Sequence, residues 1–323
     1  MSCDSARAGQ IREEIETAKT IAILGHVRPD GDAVGSCLGL KRYINLVWPE
    51  KEVTVYLERI PREFLFLAGA SETVSDFSGD TAYDLCFMLD CSDMTRPGEA
   101  AKFFNGAKRK VCIDHHITND GMGDICVVKP SASSTSEVIC SLIDTEKLDA
   151  AAAECLYLGI VHDTGVFKHS NTSEATMITA GRLITMGARP ALIIDNTFYK
   201  KTYGQNRALG YVLTGSKLLL EGRLIAGSID LKTCDELGIL PSELDGIIDQ
   251  LRVTEGVEAA MLISQLKSGA YKVSLRSNGD VDVSSICASF GGGGHVKAAG
   301  CELEGTPEAI IEKIAAKVKE QLR

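Results

Sequence analysis

Four short apolar runs, IAILG at 21–25, VTVYL at 53–57, DLCFMLD at 84–90 and VCID at 111–114, are separated by longer amphipathic stretches. Runs of that length suit buried parallel strands, and the stretches between them suit the crossover helices that parallel strands require. Helices are expected at 33–46, 135–143 and 150–161. In an open α/β sheet, ligands collect beyond the carboxyl ends of the strands. Three of four segments rich in Asp and His begin where such a run ends: HVRPDGD at 26–32, Asp90, and Asp114-His115-His116. The fourth, Asp163, follows the helical stretch and precedes Thr164-Gly165.

These residue types point to a metal. Carboxylate oxygens mixed with imidazole nitrogens suit Mn²⁺ or Mg²⁺, whereas zinc or iron clusters more often show thiolates at short spacing. The eleven cysteines include no CxxC pair. Pro29 and Gly31 force a turn that gathers His26, Asp30 and Asp32, and the N-terminus of the next helix favours anionic groups. Asp90 at a strand tip can bridge two cations. Strand alternation turns neighbouring residues to opposite faces, so one of His115 and His116 is expected on metal and the other on substrate. Each segment alone also fits an ordinary turn acid or helix cap. Together the four read as a dinuclear centre for phosphoester hydrolysis.

Composition bounds the rest. A chain of 323 residues with 45% hydrophobic and 24% charged residues fits about two globular domains. Its formal net charge of −10 argues against a basic surface tracking long nucleic acid. Cys86 and Cys112 sit inside apolar runs and read as buried thiols of a reducing cytosol. No apolar run approaches the roughly 18 residues of a membrane span, so a soluble cytoplasmic protein without membrane association is expected. A long helix is expected over 203–220. Beyond it RLIAGSID, VEAAMLISQL and AYKVSLRS alternate as strands of a smaller α/β unit, closed by a helix starting at Thr306-Pro307. Gly291 to Gly294 permit close backbone approach to a ligand and leave N–H groups free for an anion, with His295 and Lys297 adding donors. Ser133, Ser134 and Thr135 in SASSTSE read as a cap for the following helix, or as phosphate donors.

The stretches HVRPDGDAVGS, LDCSD, IDHH and GIVHDTGVF resemble the successive motifs of DHH phosphoesterases. VDVSSICASFGGGGHVKAAG resembles the glycine-rich signature of the DHH-associated C-terminal domain, so the resemblance spans roughly residues 15–320. It implies an α/β fold: a parallel-sheet catalytic domain at 1–190, a helical linker at 191–222 and a smaller α/β substrate-binding domain at 223–323. It further implies that His26 and Asp30 hold one Mn²⁺ and Asp32, His115 and Asp163 a second, with Asp90 bridging; Mg²⁺ or another divalent ion fits the same donors. His116 would touch the scissile phosphate, and Asp114 would orient a histidine. Arg276, Gly292, Gly293, Gly294, His295 and Lys297 would bind the substrate's terminal phosphate and select short substrates.

The subgroup resembled most is the short nanoRNase and pAp phosphatase type. It acts on very short oligoribonucleotides, giving mononucleotides, and on 3′-phosphoadenosine 5′-phosphate (pAp), giving AMP. Hydrolysis of c-di-AMP or its linear products at the same site is an alternative. A non-catalytic nucleotide-binding sensor is another, but it predicts loss of a ligand position and none is missing. Family II pyrophosphatases share the metal motifs but use basic motifs in place of GGGGH. Expected partners are therefore short RNA, pAp or small nucleotides, and the resemblance leaves a homodimer open.

Overall fold

A computed structural model describes residues 3–322 apart from residue 245. The chain divides into two compact units, Met1–Lys200 and Lys201–Arg323. Residues 191–200 of the expected linker thus belong to the first unit and 201–222 to the second.

The first unit runs α1 (Cys3–Thr17), β1 (Thr20–Leu24), α2 (Gly31–Val47), β2 (Glu52–Tyr56), β3 (Leu85–Leu89), α3 (Ala101–Gly106), β4 (Arg109–Asp114) and β5 (Ile125–Val128). It continues through α4 (Thr135–Leu142), α5 (Ala150–Asp163), α6 (Glu174–Thr185) and α7 (Pro190–Ile194), followed by a π-helical turn at Asp195–Tyr199. Its five strands are all parallel, in the order β2-β1-β3-β4-β5. Helices cover both faces, which is why the strands read as unbroken apolar runs; every residue of β3 is buried. Alternate residues serve opposite layers. Ile21, Ile23, Leu85 and Phe87 pack on one side, and Ala22, Leu24, Cys86 and Met88 on the other.

Short polar side chains start the helices. Asp30 caps α2, Ser134 caps α4, Asp149 caps α5, and Ser173 opens α6 with a reciprocal capping box to Thr176. Among the described residues no single helix is long and apolar enough to cross a membrane.

The second unit contains α8 (Tyr203–Gly215), β6 (Lys217–Leu219), β7 (Leu224–Ile229), α9 (Leu231–Leu237), α10 (Ile247–Arg252), β8 (Ala259–Gln265) and β9 (Tyr271–Ser277). It ends with α11 (Val283–Ala288), β10 (Gly293–His295), β11 (Ala298–Leu303) and α12 (Pro307–Gln321). The helix expected over 203–220 stops at Gly215, and the residues after it form β6, an edge strand antiparallel to β7. Far from being free-standing, α8 buries Ala208 and Val212 against Ile225, Ile229 and Leu251. The mixed sheet, ordered β10-β11-β9-β8-β7-β6, carries a second core on its other face, where Val273, Leu275 and Ala299 meet Ile310 and Ile314 of α12.

Candidate metal centre

Each acidic segment lies where an element ends. Asp90 follows β3 with φ at +56°, a left-handed backbone uncommon for a residue with a side chain. That turn aims its buried carboxylate across the sheet edge. Oδ2 lies 3.5 Å from His26 Nε2, while Oδ1 lies 3.6 Å from His115 Nε2 and 3.7 Å from His116 Nδ1. The Thr135 hydroxyl donates to the same Oδ1 at 3.1 Å.

Hydrogen bonds fix the rings. His26 Nδ1 is 2.9 Å from the Val27 carbonyl, which can only accept, so Nδ1 carries hydrogen and Nε2 faces Asp30 and Asp90. His116 Nδ1 donates to Asp114 Oδ1 at 2.8 Å, leaving Nε2 free. Asp114 is wholly buried and takes a further bond from Asn119 Nδ2 at 2.8 Å. His115 Nε2 is 3.0 Å from Asp163 Oδ2.

Asp30 serves twice. Its Oδ1 accepts the backbone N–H groups of Asp32 and Ala33, capping α2, and sits 3.6 Å from His26 Nε2. Asp32 is completely buried and accepts the Thr135 N–H at 2.6 Å and the Ser136 N–H at 3.0 Å, the first two amides of α4. A carboxylate is favoured there by the helix dipole and by those unpaired amides.

Three donor groups result, each with its ligand atoms within 4.8 Å of one another: His26, Asp30 and Asp90; Asp32, His115 and Asp163; and Asp90, Asp114, His115 and His116. These side chains could hold metal ions. None of the groups contains a cysteine, so the donors are carboxylate oxygen and imidazole nitrogen only, without the thiolates that soft metals select.

The electrostatics point the same way. Burial, then the charges of Asp90 and Asp163, pushes Asp32 well above the usual carboxylate range. Burial also raises Asp163, against the pull of His115. Burial alone would lower the His26 pKa, but hydrogen bonds to Asp30 and Asp90 raise it to about 10. His115, likewise opposed by burial, is raised to about 9 by Asp163, Asp32 and Asp90. Protons on the imidazoles thus offset crowded carboxylate charge, a role that a divalent cation takes over by displacing them.

The structure gathers all six expected metal residues and both expected catalytic residues in one place, with two departures. Both His115 and His116 reach Asp90, because β4 ends at Asp114 and strand alternation does not govern the two rings. Ser134 caps α4 as expected, accepting from the Glu137 N–H at 3.1 Å, whereas the next two residues hold Asp90 and Asp32. Asn119 went unread in the sequence: in TNDG it has the look of a turn residue, and its bonds to Asp114 and to the Cys91 carbonyl arise only in the fold.

In the second unit, His295 pairs in register with Ala298, and Ala298 with Arg276, so His295 and Arg276 share one face of the sheet. Arg276 Nε is 3.8 Å from Asp249. Two of the glycines pack closely on a neighbouring strand. A Cβ at Gly292 would lie 2.2 Å from the Gly300 carbonyl and one at Gly294 2.5 Å from the Ala298 carbonyl, so their close approach is to β11. Gly293 is exposed with open space around it. Lys297 donates to the Gly279 carbonyl.

Residues 20–160 match the DHH family, N-terminal domain, and residues 224–323 match the DHHA1 domain. The chain is 30% identical over 307 residues to a Thermus thermophilus protein named bifunctional oligoribonuclease and PAP phosphatase NrnA, covering 94% of this chain and 90% of that one. A Bacillus subtilis protein of the same name is 31% identical over 297 residues, covering 90% and 91%. An exopolyphosphatase-related protein from Bacteroides fragilis superposes with a TM-score of 0.85 at 25% identity, over 98% of this chain and 96% of that one. Motifs, metal-site geometry and matched domains agree, and the chain belongs to the DHH family, a DHH domain followed by a DHHA1 domain.

Proposed function

We propose that the protein is a metal-dependent phosphodiesterase and phosphatase that cleaves very short oligoribonucleotides to mononucleotides and converts pAp to AMP. The observation that carries this reading is Asp90, a buried carboxylate approached by three imidazoles and shared by two of the three donor groups. The substrate class draws its support from the two relatives named for those activities.

His26 and Asp30 would hold one Mn²⁺ and Asp32, His115 and Asp163 the other, with Asp90 shared. When bound, such cations supply Lewis-acid charge for phosphoryl oxygens and lower the pKa of water toward neutrality. The protein's own residues do the positioning. Asp114 and Asn119 lock His116 so that its Nε2 can donate to a phosphate oxygen, and the Asp114 hydrogen bond holds the His116 pKa above its ordinary value. Thr135 steadies Asp90, and the α4 amides steady Asp32. In the second unit, Arg276 and His295 would take the far terminal phosphate of an oligoribonucleotide, with the exposed Gly293 amide beside them. Gly292, Gly294 and Lys297 would shape that loop.

The test is Mn²⁺-dependent hydrolysis of pAp, a diribonucleotide, a pentaribonucleotide, c-di-AMP and pyrophosphate, with Asp90→Ala as blank. Preference for pAp and the diribonucleotide is expected. Preference for c-di-AMP would move the reading to cyclic-dinucleotide turnover, and absence of turnover would overturn it.

A further inference from the structure

The loop that carries His26 and Asp30 also forms one wall of a cleft of about 740 Å³, within the range of small-molecule sites. Arg28, Pro29, Glu58, Arg59, Phe77 and Glu99 line it. Arg28 lies between His26 and Asp30 in sequence, so one wall of the cleft is continuous along the chain with two proposed metal ligands. Its backbone is held at φ +54°, and its N–H donates to Glu58 Oε2 at 2.7 Å. That bond fixes the wall, and the Arg28 guanidinium stays exposed.

Two features bear on what this cleft can hold. In a chain of net charge −10, with many arginines in ion pairs, the Arg28 and Arg59 side chains have no ion-pair or hydrogen-bond partner among the described residues. Phe77, backed by Tyr56 at 6.3 Å between ring centroids, offers a half-buried aromatic surface in the cleft. Guanidinium forks match phosphate oxygens, an aromatic face matches a base, and the carboxylates of Glu58 and Glu99 can accept from ribose hydroxyls. With two cations and two anions the cleft has no strong net field, which suits one nucleotide held by directed bonds.

We infer that this cleft is a nucleotide subsite in which Arg28 and Arg59 grip a phosphate next to the scissile one and Phe77 contacts its base. The inference rests on the phosphoesterase reading above. It places recognition of the neighbouring nucleotide on the catalytic unit itself, apart from the Arg276 and His295 face.

The test compares wild type with Arg28→Gln, Arg59→Gln and His295→Ala in two assays. The first is calorimetric titration of AMP into metal-free protein; the second is the ratio of KM for pAp to KM for bis(p-nitrophenyl) phosphate, which lacks the second phosphate. Each arginine variant is expected to weaken AMP binding by about tenfold and to raise the ratio similarly. Arg59→Lys is expected to recover only part of the loss, because an ammonium cannot make the bidentate contact. Unchanged AMP binding in both arginine variants, or equal rises of KM for both substrates, would overturn the subsite. If wild type hydrolyses neither substrate, the phosphoesterase reading fails, while the AMP titration still decides the subsite.

Discussion

At the scale of single residues, the site concentrates negative charge that its own histidines only partly offset. Folded-state pKa values of about 10 for His26 and about 9 for His115 lie above the ordinary 6.5. In metal-free protein their contribution to stability is therefore full below about pH 6.5 and is lost as pH rises toward 9–10. Metal binding needs the neutral imidazoles, so it must follow the opposite trend. Thermal unfolding from pH 6 to 9 is expected to show the Mg²⁺- or Mn²⁺-induced rise in Tm growing with pH; a constant rise would contradict proton displacement. Asp90→Ala should abolish that Tm rise and cut turnover by about 100-fold or more while the fold persists. Asn119→Ala leaves all six proposed ligands in place but frees Asp114 and His116, and is expected to lower kcat by roughly 10- to 100-fold. A shifted acidic or basic limb in its pH–rate profile would separate that positioning role from a loss of stability.

At the scale of elements, the site depends on how closely α2, α4 and α5 approach. Gly159 in α5 faces Asp32 of α2 and Ser136 of α4; a Cβ there would lie 2.3 Å from Asp32 Oδ1 and 2.0 Å from Ser136 Oγ. Gly159→Ala should therefore destabilise the protein by about 1–3 kcal/mol and weaken metal binding, because the side chain displaced is a proposed ligand. Urea unfolding with and without Mn²⁺ measures both effects. The same elements show how far the sequence can be read. Strands β1, β3 and β4 were legible because burial on both faces leaves an unbroken apolar run, and α2 because Asp30-Gly31 opens it. Short strands such as β6 and β10 were not legible: three residues are too few to show a period, and their pairing with β7 and β11 defines them.

For the whole molecule, two units have separate cores, and the proposal gives them separate tasks, chemistry on the first and the terminal-phosphate grip on the second. His295→Ala is accordingly expected to raise KM for short oligoribonucleotides by about tenfold with little change in kcat or in metal affinity, and an unchanged KM across chain lengths would remove the grip. The sequence by itself determined which residue types could meet a metal and at which strand ends they stand, because turn chemistry and apolar periodicity are local properties of the chain. Only the tertiary structure decided how they meet. Asp32 is held by amides more than 100 positions away, both imidazoles of the His115-His116 pair reach one carboxylate, and two arginines from separate loops line one cleft. Those contacts join elements distant in sequence, and packing of the helices against the sheet, which no local pattern encodes, brings them together.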